Sequence, residues 1–145
     1  MSVSRPAPNS ILLADDHEND LLLTKLGLTR AGLSFPVHSV SGGLDAIAFL
    51  NGDPPYQDRV RYPSPALVLL DIQMPRVDGF EVLRWIRHQP HFADLPVVML
   101  TGSKTKTVAE TARLLGATSF FVKSVDSANA AELAASIRRL IELAG

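Results

Sequence analysis

Five side chains able to take part in metal or phosphoryl chemistry stand at the ends of short apolar runs. They are the acid pair Asp15-Asp16, then Asp71, Thr101 and Lys123. Short unbroken apolar runs are typical of strands buried on both faces of a parallel sheet. The carboxyl ends of such strands lie along one edge, where open α/β sheets bind their ligands. We therefore expect these side chains to lie together at that edge.

The carboxylates of this cluster would repel one another. At ~4 Å each pair costs ~4 kcal/mol with an effective dielectric of about 20, so the cluster needs a cation or a shared proton. The chain has no cysteine, and oxygen ligands favour a hard divalent ion, Mg²⁺ or Mn²⁺. Asp16 and Asp71 are the predicted direct ligands, and Asp15 is a predicted ligand through water.

The same cluster also suits a phosphoryl group. Lys123 can pair with one phosphate oxygen as a point charge, and Thr101 can donate a hydrogen bond to another. The cation would neutralise a third oxygen and relieve repulsion at the attacking carboxylate. Asp71 is then the predicted nucleophile, which forms an aspartyl phosphate.

Strands and helices alternate along the chain and would position these groups. The pattern predicts strands at residues 10–14, 35–40, 66–70, 95–100 and 119–122, and helices at 19–31, 43–50, 105–115 and from about 78 and 129. Alternation of this kind implies right-handed crossovers and a parallel sheet with helices on both faces. We therefore predict an α/β fold.

Capping patterns and periodicity mark several of the helices. Asp78 and Glu81 have the spacing of a capping box, as do Asn129 and Glu132, and Ser41 is the predicted cap of the second helix. The first helix has leucines 22, 23 and 26 on one face, and the last has an apolar stripe typical of a surface helix.

Two other features are predicted to be structural rather than chemical. Residues 52–66 form a long proline-bearing surface loop, held by Tyr56 and Tyr62, and a loop that docks a partner is the alternative. No histidine is a predicted catalytic residue. His17 is expected to be solvated, and the other three, His38, His88 and His91, are expected at the surface.

Length and composition limit the function classes. A chain of 145 residues suits one domain, expected at 10–145 after a disordered lead-in at 1–9. The net charge of −1 gives no argument for binding nucleic acid or a membrane surface. No apolar run approaches the ~18 residues of a membrane span. These features lead us to expect a cytoplasmic protein.

The ordered set of motifs resembles the receiver domains of two-component response regulators, CheY-like proteins, over about residues 10–143. The motifs are the acid pair, the strand end Asp71-Ile72-Gln73-Met74-Pro75, Asp78-Gly79, Thr101 and Lys123. The resemblance implies a flavodoxin-like, doubly wound, five-stranded sheet of order 2-1-3-4-5. It also implies that a sensor histidine kinase phosphorylates Asp71, and that the metal is held by Asp16, Asp71 and the backbone carbonyl of Gln73.

The resemblance further implies a signalling protein rather than an enzyme, with at most self-catalysed phosphoryl uptake and slow autodephosphorylation. Thr101 and Phe120 would switch the face made by the fourth helix, fifth strand and last helix, where family members often dimerise. The long loop, Asn19-Asp20 and the missing output domain are similar to stand-alone regulators of bacterial phytochrome-type kinases.

Three residues depart from the family pattern. Ser124 replaces the proline that usually follows the lysine. Because a non-proline cis bond costs ~3–4 kcal/mol, we predict a trans or strained Lys123–Ser124 peptide and a shifted loop. Phe120 stands where many members have tyrosine, and Gln73 where a shorter polar residue is common. We expect Gln73 to face the site and to change the dephosphorylation rate.

Three other classes remain as alternatives. A phosphatase of the haloacid dehalogenase type needs a second acid two residues after the nucleophile, where this chain has Gln73. A flavodoxin-like electron carrier needs a phosphate loop after the first strand, where acids would repel the phosphate. A degenerate receiver that serves only as a binding module is the third.

Overall fold

The structure, a computed structural model, describes residues 9–102, 105–123 and 127–144. Almost all of the expected lead-in and the predicted Lys123–Ser124 peptide geometry lie outside the described residues. In chain order the elements are β1 Ile11–Ala14, α1 Glu18–Arg30, β2 Val37–Val40, α2 Gly43–Asn51, β3 Leu67–Asp71, α3 Gly79–His88, a 3₁₀ turn at Pro90–Phe92, β4 Val97–Thr101, α4 Lys106–Leu114, β5 Ser119–Val122 and α5 Ser127–Ala144.

The strands form one parallel sheet in the order β2-β1-β3-β4-β5. Its register pairs Ala14 with Leu70, and Thr101 with Val122. The doubly wound α/β fold expected from the sequence is therefore confirmed. Because all strands are parallel, their carboxyl ends lie along one edge of the sheet.

Alternate residues of the central strands face two separate cores. In β3, Val68 and Leu70 pack in one core with α2 and α3 residues, whereas Leu67 and Leu69 pack in the other with α1 and α5 residues. All four of these side chains are fully buried. Burial on both faces explains why the strand is an unbroken apolar run rather than an alternating one.

Two strands are shorter than predicted because each follows a proline. β2 starts at Val37 and β4 at Val97. Pro36 and Pro96 still accept hydrogen bonds from Ile11 and Val68 of the neighbouring strands, both at 2.9 Å. A proline nitrogen has no proton to donate in return, so the ladder begins one residue later.

The leucine face of α1 does not form the core contact of that helix. Leu22, Leu23 and Leu26 are 63%, 48% and 45% exposed. Instead, Leu21 and Leu28 contact the core that contains Leu67 and Leu69 of β3. The leucines run almost all round the helix, so their spacing did not show which of them would be buried.

One predicted capping box is present and two predicted caps are wrong. The Asp78 side chain accepts from the Glu81 main-chain N–H, and the Glu81 carboxylate accepts from the Asp78 N–H. The residue that caps α2 is Gly42, and the Ser41 hydroxyl reaches the Asp45 carboxylate instead. Asn129 lies inside α5 and donates to the Val122 carbonyl at 2.9 Å.

The loop at 52–66 is held by its tyrosines, as predicted. The Tyr56 and Tyr62 rings pack on each other and on Phe49 of α2, with ring centroids 5.1–5.9 Å apart. His38 belongs to this cluster, since its ring lies 5.7 Å from that of Phe49. His38 is therefore half-buried rather than a surface residue, and burial lowers its pKa, with a smaller contribution from the Lys25 charge.

Arg59 completes the attachment of the loop. Its guanidinium donates to the carbonyl oxygens of Phe49 and Leu50 at the end of α2, both at 2.8 Å, and to that of Tyr62 at 3.0 Å. The last carbonyls of a helix have no partner within the helix. Arg59 supplies that partner, a role that nothing in the local sequence indicated.

Candidate functional site

The predicted site residues do meet at the carboxyl edge of the sheet. Asp15 follows β1, Asp71 and Thr101 end β3 and β4, and Lys123 follows β5. The first three are 1–2% exposed, which makes them rare buried polar side chains in a largely apolar interior.

Hydrogen bonds that continue past the strands fix the main chain of the site. The Asp15 N–H donates to the Val40 carbonyl at 3.2 Å, and the Lys123 N–H donates to the Thr101 carbonyl at 2.6 Å. Because the sheet ladder extends to these residues, their side chains start from rigid backbone rather than from free loops.

Gly79 brings the start of α3 against the end of β3. Its N–H donates to the Ile72 carbonyl at 2.9 Å. A β-carbon at this position would overlap the Asp71 carbonyl oxygen and the Ile72 main chain. Glycine therefore allows the close approach of helix and strand that places the Asp78–Glu81 capping box beside the site.

Lys123 joins three carboxylates. Its Nζ lies 2.6 Å from Asp15 Oδ2, 3.0 Å from Asp20 Oδ2 and 3.3 Å from Asp71 Oδ1. The Asp15 and Asp71 contacts follow from the predicted cluster. Asp20 was not a predicted site residue; it lies in the first turn of α1, shortly after the acid pair.

Burial and charge act in opposite directions on the ionisation of this cluster. Burial, with the Asp15 charge next in size, raises the pKa of Asp71 from 3.8 to about 6, against the opposing effect of Lys123. Burial alone would lower the pKa of Lys123, but its hydrogen bonds to Asp15 and Asp20 and the nearby Asp71 charge outweigh burial and raise it. Lys123 is therefore a firmly held cation beside an acid that remains mostly ionised at neutral pH.

His17 is exposed to solvent, as expected, and its ring also faces the acids. The imidazole is 59% exposed, but its Nδ1 lies 3.1 Å from Asp16 Oδ1 and 3.3 Å from Asp15 Oδ1. The His17 main-chain N–H also donates to Asp15 Oδ1 at 3.0 Å. The exposure agrees with the expectation, whereas the contacts with the acids were not predicted, because sequence position gives no side-chain direction for a residue between a strand and a helix.

The donor set fits a divalent cation. Asp15, Asp16, His17 and Asp71 offer ligand atoms that all lie within 4.8 Å of one another. Within the described residues, the buried Asp71 Oδ2 has no hydrogen-bond partner, and the buried Asp16 Oδ1 has only the contact with His17 Nδ1 at 3.1 Å. A buried carboxylate oxygen without a partner is costly, and a cation would satisfy both oxygens at once.

Two other predicted residues lie at the margin of the site. Gln73, two residues past Asp71, is exposed. Phe120 is paired in register with Met99 of β4, and its half-buried ring packs against the core beneath α2 and α3. Among the described residues, no helix combines the length and the apolar composition that crossing a membrane requires.

Comparisons with known proteins agree with this geometry. The sequence profile of the response regulator receiver domain matches residues 11–137. The transcriptional regulatory protein GltR of Pseudomonas aeruginosa is 33% identical over 135 residues, and the match covers 93% of this chain and 50% of that protein. The chain therefore spans about half the length of this relative.

Similar solved structures include regulators of light signalling. Response regulator RPA3017, in red light signaling of R. palustris, has a TM-score of 0.81 and 32% identity, with 89% of this chain and 90% of that chain covered. The Mn²⁺-bound form of response regulator Rcp1, a Synechocystis protein, has a TM-score of 0.75 and 30% identity, with 90% and 92% covered. The phosphorylated cyanobacterial phytochrome response regulator RcpA has a TM-score of 0.79 and 26% identity, with 96% and 97% covered.

The resemblance to receiver domains, and its narrower similarity to phytochrome response regulators, are thus confirmed. The matching profile extends from the first strand to the last helix. It includes the acid pair, Asp71, Thr101 and Lys123, which the structure brings to one edge of the sheet. The chain therefore belongs to the response regulator receiver domain family.

Proposed function

We propose that this chain is the phosphoacceptor of a two-component phosphorelay, with Asp71 as the residue that accepts the phosphoryl group. The observation that carries the proposal is the position of a buried Asp71 carboxylate 3.3 Å from the ammonium group of Lys123. A phosphorylated relative, RcpA, supports the same role.

The two oxygens of Asp71 have different surroundings, which assigns them different roles. Oδ1 faces Lys123, whereas Oδ2 is buried and has no hydrogen-bond partner among the described residues. Oδ2 is therefore the oxygen available to a metal ion, and Oδ1 would form the bond to phosphorus while the bond from phosphorus to the donor breaks. When the donor is a kinase phosphohistidine, the imidazole leaves with the electron pair of the P–N bond and takes up a proton.

Lys123 and Thr101 would hold the transferred group. Phosphorylation removes the ionised Asp71 carboxylate, so the Lys123 ammonium is released from Oδ1 and can pair with a phosphoryl oxygen. The hydroxyl of Thr101, at the end of β4, would donate to a second phosphoryl oxygen. The main chain of both groups is held by hydrogen bonds of the sheet ladder.

A divalent ion, Mg²⁺ or Mn²⁺, would be held by Asp15, Asp16, Asp71 and the backbone carbonyl of Gln73. When bound, the ion would neutralise negative charge on the acids and on the phosphoryl oxygens. The buried Asp71 Oδ2, which has no hydrogen-bond partner among the described residues, supports this assignment, as does the Mn²⁺-bound form of the relative Rcp1.

The output would pass through the face made by α4, β5 and α5. Of the described α4 side chains only Ala112 is buried, so this helix has little apolar contact to hold it in one position. Thr101 would move toward the phosphoryl group and Phe120 would turn inward, which changes this face. We also assign a homodimer contact to this face.

The chain would act as a cytoplasmic signalling protein rather than as an enzyme with a diffusible substrate. Its kinase would be a sensor histidine kinase of the phytochrome type, because RPA3017 and RcpA are regulators of red-light and phytochrome signalling. A degenerate receiver that only binds a partner is the competing account, and phosphoryl uptake distinguishes the two.

The test is the intact mass of the protein after incubation with acetyl phosphate and Mg²⁺. We expect one added phosphoryl group, which is lost in Asp71→Asn and with a chelator. Asp94→Asn is a matched control, since Asp94 is an exposed residue outside the site. No uptake by a folded wild-type protein would favour the binding-module account.

A further inference from the structure

The acid cluster contains a nitrogen donor. We propose that His17 is a protein ligand of the metal site through Nδ1, and that the site therefore binds borderline transition ions, represented by Ni²⁺, far more tightly than Mg²⁺. This inference rests on the proposed function to the extent that both concern the ion held beside Asp71.

The distances around His17 match those between neighbouring ligands of one ion. Nδ1 lies 3.1 Å from Asp16 Oδ1 and 3.3 Å from Asp15 Oδ1. With bonds of about 2.1 Å, adjacent ligands are about 3.0 Å apart in octahedral geometry and about 3.4 Å apart in tetrahedral geometry. An ion can thus lie within bonding distance of all three atoms after small side-chain rotations.

A buried acid without a partner points independently to a ligand at this place. Asp71 is 2% exposed, and its Oδ2 has no hydrogen-bond partner among the described residues. Asp71 and His17 belong to the same set of donors, all within 4.8 Å of one another. His17 closes the outer side of this set, because its ring is more than half exposed whereas the Asp71 carboxylate is buried.

Ligand chemistry makes the contribution of His17 specific to the ion. Mg²⁺ prefers oxygen ligands and keeps several waters, so it gains little from an imidazole. Ions such as Ni²⁺ and Zn²⁺ bind imidazole well, and affinities of a mixed N/O site rise along the series from Mn²⁺ to Cu²⁺. A receiver with His17 would therefore exchange Mg²⁺ for a transition ion when the two compete.

The test is calorimetric titration of the untagged, full-length protein with Mg²⁺ and, separately, with Ni²⁺. The variants are His17→Asn and the control His91→Asn, which removes an exposed histidine from the 3₁₀ turn at Pro90–Phe92. Asn is favourable at the start of a helix, where His17 lies, so the variant should fold. We expect His17→Asn to weaken Ni²⁺ binding at least about tenfold and Mg²⁺ binding less than about twofold.

Two results would overturn the inference: unchanged Ni²⁺ affinity in His17→Asn, or equal losses for both ions, which would indicate a general electrostatic role. Asp71→Asn should weaken both ions, which shows that Ni²⁺ occupies the same site. Phosphoryl uptake by the wild-type protein in Mg²⁺ is measured in parallel. If the wild-type protein takes up no phosphoryl group but His17→Asn still loses Ni²⁺ affinity selectively, only the proposed function is contradicted. If uptake is normal but His17→Asn shows no selective loss of Ni²⁺ affinity, only this inference is contradicted.

Discussion

Lys123 and Asp20 form a 3.0 Å hydrogen bond between side chains that are 103 residues apart in the chain. The bond joins the end of β5 to the first turn of α1. Lys123 has three protons, and three carboxylates lie within 3.3 Å of its Nζ: those of Asp15, Asp20 and Asp71. A phosphoryl oxygen can therefore reach Lys123 only if one of these contacts is released.

Asp20 is the competitor that phosphorylation does not itself remove. In the proposed reaction the Asp71 carboxylate would lose its charge on becoming the acyl phosphate, and Asp15 would have an alternative partner in the metal ion. We predict that Asp20→Asn takes up phosphoryl groups from acetyl phosphate about two- to fivefold faster, because an exposed charged contact contributes about 0.5–1 kcal/mol. The rate of mass increase at saturating Mg²⁺ measures this.

Glu18→Gln is the matched control for that rate. It removes one negative charge from the same turn of α1, and Glu18 is exposed. If Glu18→Gln accelerates uptake as much as Asp20→Asn does, the effect is reduced repulsion of an anionic donor. The Lys123–Asp20 contact would then have no role in the rate.

Asp71→Asn should raise the free energy of unfolding at neutral pH in the absence of divalent ions. The folded-state pKa of Asp71 is raised from 3.8 to about 6. Between pH 3.8 and about pH 6 the folded state binds more protons than the unfolded state. The free energy of unfolding of the wild type therefore falls as the pH rises through this range, and it stays at the lower value above it. The asparagine variant does not lose stability in this way. Above pH 6 its free energy of unfolding should exceed that of the wild type by on the order of 1–3 kcal/mol.

Urea unfolding of both proteins at pH 4.5 and pH 7.5, in chelator, measures the difference. The advantage of the variant should be small at the lower pH and larger at the higher one. A variant that is less stable than the wild type at pH 7.5, or a difference that does not change with pH, would contradict a raised pKa for the buried Asp71 carboxyl.

Gly79→Ala should destabilise the fold by about 2–3 kcal/mol, the usual range for overpacking. Its β-carbon would overlap the main chain of Asp71 and Ile72, so α3 or β3 must shift. Gly42→Ala is the control, since a β-carbon there meets nothing within 4 Å. Thermal unfolding of the two variants should separate them, and equal melting temperatures would show that the close approach is not needed.

Arg59→Ala should lower the free energy of unfolding by about 1–3 kcal/mol, because it leaves the carbonyls at the end of α2 without their donor. Arg61→Ala serves for comparison: Arg61 lies on the same loop but only stacks over the Tyr62 ring at 5.3 Å. Protease cleavage within the loop should increase for Arg59→Ala only. Equal cleavage of both variants would mean that the tyrosines alone hold the loop.

The site could largely be predicted because a parallel sheet brings strand ends to one edge. Recognition of the strands was enough to predict that Asp71, Thr101 and Lys123 lie together. The strand order came from the resemblance to receiver domains, since the alternation of strands and helices is compatible with several orders. The Asp78–Glu81 cap was predictable because its partners are three residues apart.

What could not be predicted depends on contacts between distant residues. Asp20 reaches Lys123 across 103 residues, and Arg59 caps a helix from within a loop. Ser41 and Asn129 have good capping side chains, but Asp45 and the Val122 carbonyl are their partners instead. The spacing of the α1 leucines left open which of them would meet the sheet, and three of them are exposed.

The most direct measurement of the central claim is to locate the phosphoryl group on the chain. Protein phosphorylated with acetyl phosphate and Mg²⁺ is reduced with borohydride, which converts an aspartyl phosphate to homoserine, and its peptides are then sequenced by mass spectrometry. The account predicts homoserine at position 71 and at no other acid. Homoserine at position 15, 16 or 20 with an unmodified Asp71 would contradict it.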